Sequence, residues 1–258
     1  MTTQFSDTYS KAYDLLNEGK PYRDEVAFVQ GLFTHIAVDS RELTSVLDLG
    51  CGSGKHLAEF PSDVRKFGVD QSPGMLAEAM SRGLQNFESA TGDICTARLG
   101  ENFDLVYSLF HVVSYQTTDL DLVNFFSTIR EHLKVGGIGV VDFWHRAPWD
   151  VDPPVTRVTK KNDKNTEVIR ISAPKFDLMT GRVEIDMDLF VRDDPKQDFK
   201  HLVEHHVMRA YTLLELSQAA QLAGLVIVDS GPWMHQNKPL LASDWYGWVA
   251  LTHKQLTE

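Results

Sequence analysis

Cysteine is scarce in this chain: 258 residues include only Cys51 and Cys95. Two cysteines without the spacing of a zinc site argue against a disulfide-rich secreted scaffold and favour a reducing, cytoplasmic setting. Long apolar runs are also missing, since nothing approaches the roughly 20 consecutive apolar residues that a membrane-crossing helix needs. Residues 1–7 contain neither the basic region nor the apolar core of a secretory signal. We therefore expect a cytoplasmic protein with no membrane partner.

Basic residues are also fewer than acidic ones. The chain has 25 Lys and Arg against 36 Asp and Glu, which gives a formal net charge of −11 at pH 7. Because nucleic acid polymers are held by positive surfaces, this balance argues against a nucleic-acid partner, although not against one small phosphorylated ligand. Hydrophobic residues make up 43% of the chain, which is typical of a globular protein with a full core.

Short apolar strands alternate with helical segments over most of the chain. We predict strands at residues 45–48, 66–70, 87–90, 103–109, 138–143, 225–230 and 245–252, and a helix stop with a turn at 134–137. This alternation predicts an α/β fold with a doubly wound, mostly parallel sheet covered on both faces. From about 155 to 211 the residues instead alternate apolar and polar with period two, which predicts an inserted antiparallel β-meander.

A glycine loop at residues 48–54 joins the first strand to the following helix, with the pattern D-x-G-x-G-x-G. Glycine at Gly50 and Gly52 lets a ligand approach bare backbone and permits φ angles that other residues resist. The third glycine, Gly54, comes one residue too early for a dinucleotide-binding loop. The following Lys55 is succeeded by histidine rather than Ser or Thr, which argues against a phosphate-binding P-loop.

The loop and four later motifs resemble, in order, those of the class I S-adenosylmethionine-dependent methyltransferases. The matches are residues 48–54, Asp70, residues 92–94, residues 103–106 and residues 133–137. The resemblance implies S-adenosyl-L-methionine as cofactor and a Rossmann-like, seven-stranded sheet whose last strand is antiparallel. We accordingly expect an N-terminal helical lid at 1–40, a cofactor-binding core at 41–150, an inserted sheet at 151–211 and the rest of the core at 212–258.

The candidate cofactor-binding residues lie where the strands end, as ligands of open α/β sheets do. Asp70 closes the second strand, and its carboxylate can accept two hydrogen bonds from a ribose diol. Asp93 and Ile94 follow the third strand, where they can meet the adenine edge while Met75 packs against its face. Leu109 ends the fourth strand, and its carbonyl can accept from the amino acid part of the ligand.

Asp48 is a further candidate, which either holds the glycine loop or contacts the amino group of the ligand through water. Structural alternatives stay open for several of these residues. Asp48 and Asp70 could cap the turns that follow them, and Asp93 could belong to a surface turn. Met75 could be a core residue.

Catalysis from a sulfonium needs mainly alignment of the acceptor with the methyl group, and a base only where the acceptor arrives protonated. The candidates are His111 and Tyr115, just past the fourth strand, and Tyr13 in the N-terminal helix; His145 can reach the same edge. Alternatively, His111 binds only a backbone carbonyl and Tyr13 packs as part of a lid.

We expect no metal site. His205 and His206 are adjacent in a predicted strand and therefore point to opposite faces, so they cannot chelate one ion together. His201 and His205 share a face, but no third ligand is evident in the sequence. This argues against a magnesium-dependent methyltransferase of the catechol type.

A second resemblance concerns the acceptor. Residues 5–14 and 21–25 resemble the lid of methyltransferases acting on nucleotide-linked amino sugars, which also insert an antiparallel sheet. In those enzymes a lid aromatic and a histidine after strand four line the acceptor pocket. Here Tyr13 matches the aromatic, and Tyr115 stands where the histidine is expected. Residues 156–175 contain six Lys and Arg against two Asp and Glu, which gives a local charge of +4. Such a basic patch could bind a diphosphate or carboxylate on a small molecule. Alternatively, the segment is a solvated hairpin.

We therefore predict methyl transfer to an amine, or secondarily a hydroxyl, of a nucleotide-linked sugar. A methyltransferase for another small metabolite is the nearest alternative. A NAD-dependent oxidoreductase or epimerase is disfavoured by the early third glycine, and a non-catalytic nucleoside-binding protein would keep the same loop. A homodimer is left open.

Overall fold

Two β-sheets form the framework of the computed structural model, which describes residues 13–38, 41–194 and 196–254. The part of the predicted lid that precedes Tyr13 therefore lies outside the described residues. The elements in chain order are α1 (Tyr22–Ile36), β1 (Ser45–Leu49), α2 (Lys55–Ala58), β2 (Arg65–Asp70), α3 (Pro73–Ser81), β3 (Phe87–Thr91), β4 (Phe103–Ser108), α4 (Asp119–His132), β5 (Leu133–Trp144), β6 (Arg157–Asn162), β7 (Glu167–Asp177), β8 (Arg182–Arg192), β9 (Lys200–Arg209), α5 (Leu213–Leu222), β10 (Leu225–Pro232) and β11 (Tyr246–His253). Short 3-10 helices occupy Val112–Tyr115 and Ala147–Asp150.

The main sheet has seven strands in the order β10-β11-β5-β4-β1-β2-β3. Strands β1 to β5 pair in parallel, whereas β11 runs antiparallel to both of its neighbours, β5 and β10. The predicted Rossmann-like sheet with an antiparallel last strand is confirmed. Because the parallel strands share a direction, the ends of β1, β2 and β4 open on one edge of the sheet, where a ligand site is expected.

Helices cover both faces of this sheet, so the central strands have no solvent-facing side. All residues of β1 and β4 are buried, as expected for strands sandwiched between helical layers. On one face Val29 of α1 belongs to a cluster with Val46. On the other, Phe125 of α4 and Leu216 of α5 pack in a cluster with Leu47.

Side-chain caps define the starts of α3 and α5. Ser72 precedes α3 and accepts a hydrogen bond of 3.3 Å from the Met75 amide, with Pro73 in the first turn. Thr212 and Glu215 form a reciprocal capping box at α5. Both starts follow from local sequence, because hydroxyl caps and proline satisfy or remove amides that have no partner inside the helix.

The predicted turn at residues 134–137 is wrong, because β5 begins at Leu133 directly after α4. The register against β4 jumps from the Phe103–Leu133 pair to the Leu105–Ile138 pair, so the extra residues are absorbed as an irregularity within the strand. Gly136 has φ +82° there, and a Cβ on Gly137 would lie 2.5 Å from the Asp104 carbonyl oxygen. The glycines thus permit a distorted strand rather than a turn.

The inserted sheet contains β6 to β9 as an antiparallel meander with neighbours in chain order. Its inner face carries buried residues such as Val168, Leu189 and Val191, which form a cluster with Leu16 and Met75 of the main body. The outer face is polar. The predicted meander with one wet face is confirmed, and its inner face covers the edge of the main sheet where the strands end.

Candidate active site

A cleft of about 1440 Å³ runs from the glycine loop to the inserted sheet. Ten of the predicted site residues line it: Tyr13, Gly50, Gly52, Asp70, Met75, Asp93, Ile94, Leu109, His111 and Tyr115. Asp48 and Gly54 lie behind its walls. Pockets for one small ligand usually measure roughly 300–1,000 Å³, so this cleft has room for two.

The glycine loop presents main chain rather than side chains to the cleft. Gly50 has φ +84°, and a Cβ there would lie 2.5 Å from a methyl carbon of Val112. Its amide donates a 2.7 Å hydrogen bond to the Val69 carbonyl, which ties the loop to the end of β2. Gly52 has φ +53° and faces open space, whereas a Cβ at Gly54 would meet Ala79 at 3.0 Å. The three glycines therefore serve loop packing, ligand approach and helix packing respectively.

Asp70 holds the two backbone segments that meet at the end of β2. One carboxylate oxygen accepts from the Gly52 amide and the other from the Ser72 amide, both at 2.8 Å. The residue therefore caps the turn, as the structural alternative had it, and also lines the cleft. Burial raises its pKa, although the backbone donors Ser72 and Gly52 act in the opposite direction. Since a carboxylate has about four acceptor positions, two remain for a diol.

Asp48 lies inside the protein, 1% exposed and close to Tyr107. Burial raises its pKa well above the usual range, against the opposing influence of the nearby Tyr107 hydroxyl. Its carboxyl group does not reach the cleft wall, so this residue supports the base of the glycine loop.

The other predicted cofactor residues form the neighbouring wall. Asp93 is exposed, and its side chain accepts a 2.8 Å hydrogen bond from the Cys95 amide. Ile94 and Leu109 are buried apolar residues at the cleft. Met75 lines the cleft and also packs with Leu16 under the inserted sheet, so it serves the core as well as the cleft.

His111 sits in a strained loop after β4 that is held by a buried carboxylate. Phe110 and His111 have φ +69° and +62°, and their amides donate to Asp142 at 3.1 and 2.8 Å. Burial, reinforced by the charge of Lys20, lowers the pKa of His111 to about 3. Burial raises the pKa of Asp142 to about 7, against the hydrogen bond from the His111 amide. His111 is thus neutral at pH 7, and its ring stacks on Tyr246 with centroids 4.7 Å apart.

Tyr115 reaches a pair of buried polar residues on the inserted sheet. Its hydroxyl lies 3.0 Å from Nδ1 of His206, whose Nε2 lies 3.1 Å from a carboxylate oxygen of Glu204. His205 points to the outer face and binds Asp186 at 2.8 Å, so the prediction of opposite faces is confirmed. Glu204 and His206 were not predicted from the sequence to lie behind this wall of the cleft. A signal was present, because both occupy inward positions of an alternating strand where apolar residues are expected.

The N-terminal segment, residues 13–38, forms the third wall. Tyr13 meets Phe110 edge to face at 6.4 Å and lines the cleft. Next to it, Asp14 accepts from Ser53 of the glycine loop and pairs with Arg82. His145 lies off the cleft and contacts the Asp244 carbonyl at 3.0 Å.

The basic cluster at residues 156–175 is divided by the two faces of the inserted sheet. Lys160 and Lys175 project outward and pair with Glu167 and Asp186. Arg157 and Arg170 pair in register with inner-face residues and line the cleft. The Nε atom of Arg170 is buried and has no hydrogen-bond partner among the described residues. Of the basic residues in this cluster, these two arginines line the cleft.

Within the residues that the structure describes, no group of three or more His, Cys, Asp or Glu could hold a metal ion. None of the helices there is both long enough and apolar enough to cross a membrane.

A parallel sheet with an antiparallel last strand, opening on a glycine loop and a ribose-compatible carboxylate, defines a nucleoside-binding α/β enzyme. A family model described as methyltransferase domain matches residues 46–137. The dTDP-3-amino-3,4,6-trideoxy-alpha-D-glucopyranose N,N-dimethyltransferase of Streptomyces venezuelae is 30% identical over 229 residues, which cover 87% of this chain and 93% of that one. This chain belongs to the S-adenosylmethionine-dependent methyltransferases.

Solved structures agree on the fold. A S-adenosylmethionine-dependent methyltransferase from Clostridium acetobutylicum superposes with a TM-score of 0.80 at 22% identity, covering 96% of this chain and 99% of the other. An amino pentose methyltransferase from Micromonospora echinaspora, solved with S-adenosylmethionine bound, gives 0.72 at 23% identity and covers 97% and 99%. The cleft fits that cofactor, because the main chain at Gly52 faces open space and the Asp70 carboxylate lines the cleft beside it.

Proposed function

We propose that this enzyme methylates the amino group of a sugar linked to a nucleoside diphosphate. The observation that carries the proposal is one continuous cleft, which joins the glycine loop to the face of the inserted sheet that bears Arg157 and Arg170. The relative in Streptomyces venezuelae, which by its name methylates a dTDP-amino sugar twice, supports the same acceptor class.

For the cofactor half of the cleft we propose that Asp70 receives the ribose diol and that Asp93 and Ile94 meet the adenine. The main chain at Gly50 and Gly52 and the carbonyl of Leu109 would hold the amino acid part. When bound, S-adenosylmethionine supplies a methyl group already activated on a sulfonium. The protein then has to orient the acceptor and exclude water, which is where most of the rate enhancement arises.

For the acceptor half we propose that Arg170 and Arg157 bind the diphosphate. A guanidinium binds phosphate oxygens with paired, charge-assisted hydrogen bonds. A phosphate oxygen would give the buried Nε of Arg170 the partner that it lacks among the described residues. Tyr13 and Phe110 would pack against the sugar, and residues 151–211 would close over it. We also expect a cytoplasmic enzyme, consistent with two free cysteines, and leave the homodimer as an open prediction.

The test is a mass-spectrometric assay with dTDP-linked amino sugars and matched dTDP-linked hydroxy sugars. We expect one or two methyl groups to be added to the amino sugars. Arg170→Gln should raise KM for the nucleotide sugar about tenfold while leaving the affinity for S-adenosylhomocysteine unchanged, since a charge-assisted hydrogen bond is worth roughly 1.5–3 kcal/mol. Lys175→Gln, on the outer face, is the control. Methylation of only the hydroxy sugars, or of neither, would refute the proposal.

A further inference from the structure

Tyr115, His206 and Glu204 form a chain of contacts that starts at the cleft and ends in the interior of the inserted sheet. Tyr115 lines the cleft, whereas the side chains of His206 and Glu204 are each 1% exposed. We propose that these three residues are a relay that takes the proton from the acceptor amine before methyl transfer. The inference rests on the proposed function, since it assumes an amine acceptor that arrives protonated.

The partners of His206 determine the direction of the relay. In the proposed relay Glu204 is ionised and can only accept hydrogen bonds, so its 3.1 Å contact places the ring proton of His206 on Nε2. Nδ1 is then the acceptor for the Tyr115 hydroxyl at 3.0 Å. With its hydrogen directed at His206, the phenol oxygen of Tyr115, which lines the cleft, can act as the proton acceptor.

The proton transfer balances without a co-reactant other than water. The N–H bond of the protonated amine breaks as its proton passes to the phenol oxygen, while the phenol proton passes to Nδ1 of His206. The amine keeps the electron pair with which it attacks the methyl carbon. His206 becomes an imidazolium stabilised by the Glu204 carboxylate, and it returns the proton through Tyr115 to water once the product has left.

The apolar surroundings of His206 and Glu204 make it energetically unfavourable to bury these two polar side chains, which points to a functional reason for their presence. The β8 residues that pair in register with His206 and Glu204 are Ile185 and Met187, which carry no charge. Burying a carboxylate and an imidazole among apolar side chains carries a desolvation penalty that a hydrophobic pair would avoid. Glu204 on β9 and Tyr115 on the 3-10 helix both contact the imidazole.

Other titratable groups are farther along the same cleft. Arg170 on β7 and Arg157 on β6 lie on the inner face of the inserted sheet, and His111 and Asp121 line the opposite side. His111, with its pKa lowered to about 3, is a poor proton acceptor at pH 7. Tyr115 occupies the position where the resemblance leads us to expect a histidine. Its hydroxyl contacts the imidazole of His206, so an imidazole is still connected to the acceptor pocket through one hydrogen bond.

The test compares pH profiles of methyl transfer to a dTDP-amino sugar for the wild type, Tyr115→Phe and His206→Asn. Both variants should lose about 100-fold in kcat at pH 7 with little change in KM, as for removal of a proton acceptor. The loss should shrink toward pH 9.5, where the amine arrives already neutral. His201→Asn, on the outer face, should behave as wild type. A loss that is the same at every pH, or confined to KM, overturns the relay.

A second measurement does not depend on the acceptor. Nitrogen-15 NMR of histidine-labelled enzyme with S-adenosylhomocysteine should find His206 protonated on Nε2, with an Nδ1 shift that moves toward that of a free imine nitrogen in Tyr115→Phe. Protonation on Nδ1, or no response to the variant, overturns the relay. A wild-type enzyme that methylates no amino-sugar nucleotide would overturn the proposed function instead, and the NMR result would still decide whether the relay exists.

Discussion

The Ser53 hydroxyl donates a 2.6 Å hydrogen bond to the Asp14 carboxylate, and this contact joins the N-terminal segment to the glycine loop. Arg82 binds both partners, since it pairs with Asp14 and donates to the Ser53 carbonyl. Lys55 adds a 3.2 Å hydrogen bond to the Asp14 carbonyl. The N-terminal wall of the cleft is therefore fastened to the glycine loop through the Asp14 carboxylate together with the Asp14 main-chain carbonyl.

Replacing Asp14 by Asn should weaken this fastening and speed cofactor exchange. We expect dissociation of S-adenosylhomocysteine to become about tenfold faster, because roughly 1.4 kcal/mol is a plausible loss for a charge-assisted bond that is partly exposed. Stopped-flow fluorescence measures the rate directly. Asp24→Asn, an exposed residue of α1, is the control. An unchanged rate in Asp14→Asn would show that the wall does not limit exchange.

Gly50→Ala should damage the fold itself rather than the ligand contact alone. The added Cβ needs a left-handed backbone, which costs about 1–2 kcal/mol, and would also overlap Val112 at 2.5 Å. Gly100→Ala has a similar φ of +73° but open space, so it isolates the backbone cost. Urea unfolding should show a larger loss for Gly50→Ala, and adding Val112→Ala should recover part of it. Equal losses at the two glycines would contradict the steric argument.

Much of the main sheet could be predicted because its signals are local. Apolar runs without alternation mark buried parallel strands, and Ser72 with Pro73 marks the start of α3. Asp70 was found because a strand end next to a glycine loop constrains where its carboxylate can lie. Residues 134–137 were predicted as a turn because two glycines indicate a turn locally, whereas the structure keeps them within β5 as an irregularity between the Phe103–Leu133 and Leu105–Ile138 pairs.

The contacts that organise the cleft are not local. Tyr115 and His206 are 91 residues apart, and Asp14 and Ser53 are 39 apart. The identity of each residue does not show which distant residue it contacts until the register of the strands is known. The same holds for the basic cluster, because only the register of β6 and β7 separates Arg170, which faces the cleft, from Lys175, which faces solvent.

Cofactor binding should weaken in mild acid through Asp70. Its pKa is raised by burial, so the carboxylate begins to protonate above the ordinary range near 4 and then loses acceptor positions for the ribose diol. We expect the Kd of S-adenosylhomocysteine to rise as pH falls from 7.5 to 5, measured by calorimetry. Asp70→Asn should bind about 10- to 100-fold more weakly at pH 7.5, as for one or two lost hydrogen bonds to a charged group, and without that pH dependence. A variant that keeps the wild-type pH profile would assign the titration to another group.

His111 and Asp142 should contribute opposite pH dependences to the free energy of unfolding. His111 has a folded pKa of about 3 against roughly 6.5 in the unfolded chain, so the unfolded state binds more protons and stability is lost as pH falls through that window. Asp142 has a folded pKa of about 7 against roughly 3.9, so the folded state binds more protons and stability is lost as pH rises toward 7. Between pH 4 and 6.5 the two effects nearly cancel in the wild type.

Removing either His111 or Asp142 should therefore leave the pH dependence of stability that the other group contributes. Relative to the wild type, His111→Gln should lose stability with rising pH by up to about 1.4 kcal/mol per unit, and Asp142→Asn should gain stability over the same range. Urea unfolding at pH 4.5, 5.5 and 6.5 measures both, and differences from the wild type cancel the groups that all three proteins share. Asp142→Asn also loses one of two backbone amide bonds, which lowers its stability at every pH but does not alter the slope. Slopes of the same sign would show that the two side chains titrate as one unit.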